Sequence, residues 1–116
     1  MPTMPEPLAG DVWDILLDPR VGHEQGGKRP ALVISNDCYN RTPNGLLFIV
    51  PITGTDRGLR FQLKIDPPEG GLTKPSIIMC DQARTQSVLR FRRLRGRVSD
   101  QLLRMVQELV EEMIDR

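Results

Sequence analysis

The sequence predicts a mainly β fold closed by one C-terminal helix, with the strands bent into a small barrel. Two observations carry this. Five or six short apolar stretches follow one another, each punctuated by Gly or Pro. After the last of them comes a single segment with apolar residues at helical spacing. Short strands broken by turn residues favour a strongly bent barrel over a parallel sheet.

Each element has its own signal. Three prolines in the first nine positions make residues 1–9 a flexible arm. Residues 10–17, GDVWDILL, alternate well enough for a strand, and Asp18-Pro19 ends it. Residues 18–29 form a long polar loop with three glycines. Pro30 then opens a strand over 31–35, a position where the missing N–H is tolerated. Residues 36–44 are turn material. LLFIVPIT, 46–53, is nearly all apolar and reads as a strand buried on both faces, with Pro51 marking a bulge or an exposed edge. RFQLKI, 60–65, alternates as a half-exposed strand should. A Pro/Gly loop leads to SIIMC, 76–80, a short buried strand. Thr85–Leu89 reads as a helical turn and 94–98 as the last strand. Ser99 caps the helix, with Asp100 in its first turn. Leu102, Leu103, Val106, Leu109, Val110, Met113 and Ile114 recur on one face.

Bulk composition bounds the function. The 116 residues make one domain, 10–116 behind the arm. Net charge is +1, but six arginines and no acid lie between Gln82 and Ser99, while four acids and no base lie from Glu108 to Asp115. That stripe reads either as a solvated, partly intramolecular basic face or as a track for single-stranded RNA or an acidic partner. No apolar run approaches the roughly 20 residues of a membrane span. Cys38 and Cys80 show no metal-ligand spacing and read as reduced thiols of a cytoplasmic protein. Neither a cofactor motif nor a metal cluster is present, so any reaction rests on Arg, Lys, Glu, Thr and backbone groups.

The stretch GHEQGGKRPALVI, 22–34, concentrates such groups at the mouth of a strand. Arg29 can fork onto phosphate oxygens. Gly26-Gly27 lets backbone approach closely. Glu24 is a proton acceptor beside them, suited to a hydroxyl next to a phosphate. Equally, Lys28-Arg29-Pro30 can be a solvated strand start, with Glu24 in a weak surface ion pair.

Gly22, Glu24, Gln25, Gly27, Arg29 and Pro30 resemble the loop of the MazF/PemK family, Gly-Ser-Glu-Gln-x-Gly-x-Arg-Pro, which follows a strand beginning Gly-Asp. Pro51-Ile52-Thr53, the Asp81-Gln82 strand end and Gly96-Arg97-Val98 match later pieces in the same order. One departure is His23, where that family usually has Ser. The resemblance implies an SH3-like small barrel of the MazF/PemK/CcdB type. It also implies a homodimeric toxin of a toxin–antitoxin pair and a MazE-like cognate antitoxin. The implied activity is metal-independent cleavage of single-stranded RNA at specific sequences, leaving 2′,3′-cyclic phosphate and 5′-OH ends. It places the catalytic pair at Arg29 and Thr53. Arg29 suits an electrostatic clamp, because a neutral guanidine is scarce at ordinary pH. Glu24 is the candidate base, with water or His23 as rivals. RNA-binding candidates are His23, Gln25, Lys28, Thr55, Asp81, Gln82 and Arg84. Trp13 reads as core or dimer interface. The rival class is a gyrase-binding toxin of the CcdB kind, which has no need of the Glu-Gln-x-Gly-x-Arg-Pro loop.

Overall fold

The computed structural model describes residues 5–17, 27–58 and 60–115. Its strands are β1 (Asp11–Leu17), β2 (Gly27–Val33), β3 (Leu46–Thr53), β4 (Gln62–Ile65), β5 (Ser76–Met79), β6 (Arg84–Ser87) and β7 (Phe91–Arg97). A short helix α1 (Asp37–Asn40) precedes β3, and helix α2 (Asp100–Ile114) ends the described chain. Every strand pair is antiparallel, in the order β4-β5-β3-β2-β1-β7, with β6 also on β3.

β3 is the hub, and its apolar sequence explains why. Leu47 and Ile49 face one apolar cluster, with Ile15, Leu17, Ala31, Val33 and Phe91. Val50 and Ile52 face the other, with Val12, Leu32, Ile65, Ile78 and α2 residues Val106 and Val110. One edge of β3 pairs with β2. The other edge pairs first with β6, through Ile49, and then with β5, from Ile52. Pro51 falls between those two ladders. Neither an exposed edge nor a bulge is found there: Pro51 is fully buried, and it lacks an N–H where the strand changes neighbours.

α2 packs as its periodicity predicts, with Leu102, Leu103, Leu109 and Met113 against the main cluster. Ile114 is the exception, 75% exposed at the helix end. Ser99 Oγ accepts from the Leu102 amide at 3.1 Å, and Gln107 Nε2 donates to the Ile34 carbonyl at 2.8 Å, tying the helix to the end of β2. Asp100 suits the first turn, but the last turn holds no cation.

Several boundaries differ from expectation, and three of them bear on the site or the sheet. β2 starts at Gly27 rather than Ala31, because the β1 ladder continues to Leu17↔Gly27. Gly27 has φ 102°, which suits a residue without a Cβ. Thr85–Leu89 is not a single helical turn: residues 84–87 lie along β3 as β6, and the 3₁₀ turn is Val88–Arg90. β7 begins at Phe91, earlier than expected. Residues 5–9, the described part of the N-terminal arm, are fastened by hydrogen bonds, two of them from their own amides. The Leu8 amide donates to Asp11 Oδ2 at 2.8 Å and the Ala9 amide to Asp37 Oδ1 at 2.7 Å.

The basic stripe is largely intramolecular. Arg93 and Arg95 pair with buried Asp14 at 3.4 and 3.3 Å, and Arg97 pairs with buried Asp11 at 3.0 Å. Asp11 also accepts from the Trp13 indole at 3.2 Å. Trp13 is half-buried and meets Phe91 edge-on, with ring centroids 5.7 Å apart.

Gly96 owes its identity to a close crossing of chains. A Cβ there would lie 2.7 Å from the Gly71 amide nitrogen and 2.9 Å from the Gly70 carbonyl carbon. Backbone on both sides leaves little room to relax. Gly96→Ala is therefore expected to cost about 1–3 kcal/mol, read as a lower urea midpoint with an unchanged slope.

Candidate active site

The β1–β2 register sets Arg29 opposite Ile15 and Lys28 opposite Leu16. The β2–β3 pairs end at Ala31↔Pro51. Arg29 and Thr53 each lie two residues beyond that last pair, on adjacent strands. By strand alternation both share the face of Ala31 and Pro51. Arg29 and Thr53 are half-buried, and Lys28 is exposed. The Thr53 hydroxyl oxygen accepts from the Thr55 amide at 3.3 Å. That contact uses a lone pair and leaves the hydroxyl hydrogen to donate elsewhere.

Asp81 and Gln82 occupy the 3₁₀ turn Cys80–Gln82, which carries the chain from β5 to β6 along the edge of β3. Asp81 is exposed and Gln82 half-buried. Arg84 pairs with Ile49, four residues before Thr53 on the same strand, and its Nε is buried without a hydrogen-bond partner. Thr55 is exposed in the loop after β3. Thr53 thus ends β3, Arg84 flanks the same strand at Ile49, and Arg29 stands on the adjacent strand β2. His23, Glu24 and Gln25 lie outside the described residues.

Two cations escape a reading of the sequence. Lys64 pairs with Ile77, and Ile77 pairs on its other side with Thr53. Thr53, Ile77 and Lys64 therefore form one cross-strand row on one face. Lys74 reaches over the next residue, Gly54: a Cβ there would lie 3.2 Å from Lys74 Cε and 3.3 Å from Nζ. The alternation in RFQLKI does put Lys64 on the face opposite Leu63. Only the register reveals what lies beside it.

A groove of about 510 Å³ lies elsewhere, beneath residues 5–8 and against α1, with Asp37, Asn40 and Leu47 in its lining. None of the candidate site residues lines it.

Residues 8–114 match the family described as PemK-like, MazF-like toxin of type II toxin–antitoxin system. The chain is 33% identical over 103 residues to endoribonuclease EndoA of Bacillus subtilis, covering 88% of this chain and 89% of that one. It is 30% identical over 110 residues to endoribonuclease PemK of Escherichia coli, covering 92% and 76% respectively. Among solved structures, a MazE–MazF complex from Deinococcus radiodurans aligns with a TM-score of 0.76 at 29% identity. That alignment covers 94% of this chain and 96% of the other.

Cys80 adjoins this surface but is no nucleophile. Burial, and secondarily the Asp81 charge, push its thiol from 9.0 up to about 11. Cys38 is free and exposed. Iodoacetamide at pH 8 is expected to label Cys38 alone in the native protein and both thiols in denaturant, as read by intact mass. The sign of the stability effect follows from linkage. The unfolded thiol releases its proton first, so this contribution is intact below pH 9.0 and is lost as pH rises toward 11. Cys80→Ala should flatten that alkaline decline in urea melts.

Proposed function

The chain belongs to the PemK-like, MazF-like toxin family of type II toxin–antitoxin systems, and from this we propose that it is a sequence-specific endoribonuclease that cuts single-stranded RNA without metal. The observation that carries the reading is that Arg29 and Thr53 stand on adjacent strands β2 and β3, each two residues beyond the last pair, Ala31↔Pro51. A donor fork and a hydroxyl on one face suit the oxygens of a single phosphate.

The reaction follows from those groups. The 2′-oxygen attacks the adjacent phosphorus, forming the O2′–P bond, while the P–O5′ bond breaks. The 2′-hydroxyl proton goes to a base, and the 5′-oxygen gains a proton as it leaves. A cyclic phosphate and a 5′-OH result, and no covalent enzyme intermediate forms. Arg29 stays protonated and clamps the phosphorane oxygens. Thr53 donates its hydroxyl hydrogen to the same oxygens. Glu24 serves as the base. His23, Gln25, Lys28, Thr55, Asp81, Gln82 and Arg84 hold the RNA, with the acid and amide groups suited to base edges.

Three further parts belong to the proposal. The toxin works in the cytoplasm, where its RNA is; among the described residues no helix is long and apolar enough to cross a membrane. It acts as a homodimer, and Leu94, 49% exposed and paired with Trp13 on β1, is the kind of apolar edge a second copy would cover. Its activity is held in check by a MazE-like antitoxin.

Long mixed-sequence RNA in excess EDTA should yield discrete fragments ending in cyclic phosphate, and an all-DNA substrate should yield none. Arg29→Ala is expected to lower the cleavage rate about 10²–10³-fold, with Thr53→Val lower in the same direction. A well-folded, antitoxin-free protein that leaves every RNA intact would refute this function.

A further inference from the structure

We propose that Lys64 and Lys74 form a second anion-binding strip that holds the RNA backbone beside the scissile phosphate. The proposal rests on the nuclease reading and adds to it the residues that grip the flanking chain. The first argument is position. β3, β5 and β4 lie side by side, and the row Thr53–Ile77–Lys64 crosses them on one face. At about 4.8 Å per strand step, Lys64 stands roughly 10 Å from Thr53. Lys74 fills the near end, its ammonium beside Gly54.

The second argument is charge. Within β7, Arg93, Arg95 and Arg97 are engaged by Asp11 and Asp14, which offset two of their three charges. Lys64 and Lys74 are exposed, and neither joins an ion pair with a described residue. They therefore keep their charge for a polyanion.

The third argument is an orphaned acceptor on the same face. Gln62 lies two residues before Lys64 on β4, so its side chain shares that face. Its Oε1 is buried with no hydrogen-bond partner among the described residues. Leaving such an atom unpaired is costly. Turned outward, the amide would be free to accept from a nucleobase amino or imino hydrogen, and RNA is the occupant that the nuclease reading supplies.

The test measures salt dependence. The probe is a fully 2′-O-methylated oligonucleotide spanning a cleavage site mapped with the active protein. Its binding is followed by fluorescence anisotropy from 50 to 300 mM salt. Lys64→Gln and Lys74→Gln are each expected to weaken binding up to about fivefold, as for an exposed ion pair. Each should also reduce the slope of log Kd against log salt by about 0.7, the value for one phosphate contact to a single strand. Arg104→Gln, on the exposed side of α2, should leave both unchanged. Unchanged slopes in both lysine variants, with Arg29-dependent cleavage intact, would overturn the strip and leave the nuclease reading standing. Loss of affinity for a Glu-rich peptide alone would overturn it in favour of a protein partner. Absence of any RNA cleavage by the unmodified protein would overturn both. Both lysines are exposed, so an unchanged urea midpoint confirms that the variants fold.

Discussion

The whole arrangement depends on β3 being paired along both edges and packed on both faces. An eight-residue strand that is apolar up to its last residue has almost no solvent-facing side to spare. It must take a sheet neighbour on each flank and a cluster above and below. Two different strands share one flank, and the sequence supplies a proline where the changeover occurs. A residue with an N–H at that point would need an acceptor that neither β5 nor β6 provides. The changeover also turns the chain between β5 and β6 back along β3. Cys80–Gln82 is thereby laid along the middle of β3, between the Ile52↔Ile78 and Ile49↔Arg84 pairs.

Much of this is legible in the residues. LLFIVPIT announces a strand buried on both faces, and the spacing from Leu102 to Met113 announces the packed face of α2. Pairing is harder to see. Residues 27–30 read as loop because they are polar and glycine-rich, yet the β1 backbone supplies partners that hold them as strand. Residues 84–87 have no apolar pattern of their own and become strand only because β3 has a free edge beside them. The site divides the same way. The loop motif and the Pro-x-Thr strand end mark Arg29 and Thr53 separately, but only the register relates them. Lys64 carries no local mark at all.

The arginines show why a charge run in sequence is ambiguous. Two aspartates on β1, far away in the chain, determine which cations of β7 face a ligand and which hold the sheet together. A buried carboxylate without its arginine is expensive, so these pairs constrain the β1–β7 seam. What looked like a binding track acts as a fastening. Lys64, exposed and in no ion pair with a described residue, sits on the other side of β3, on β4.

The last turns of α2 carry an imbalance of their own. Glu108, Glu111, Glu112 and Asp115 crowd the end where backbone carbonyls already point outward, and no cation stands among them. Val106 and Val110 are buried and hold the middle of the helix, but Ile114 beyond them has little packing. Stability should therefore fall steadily along the helix axis, with amide hydrogens near residue 114 exchanging soonest. Of the last turn, Met113 alone packs on the main cluster, so the end of the helix is held more loosely than its middle.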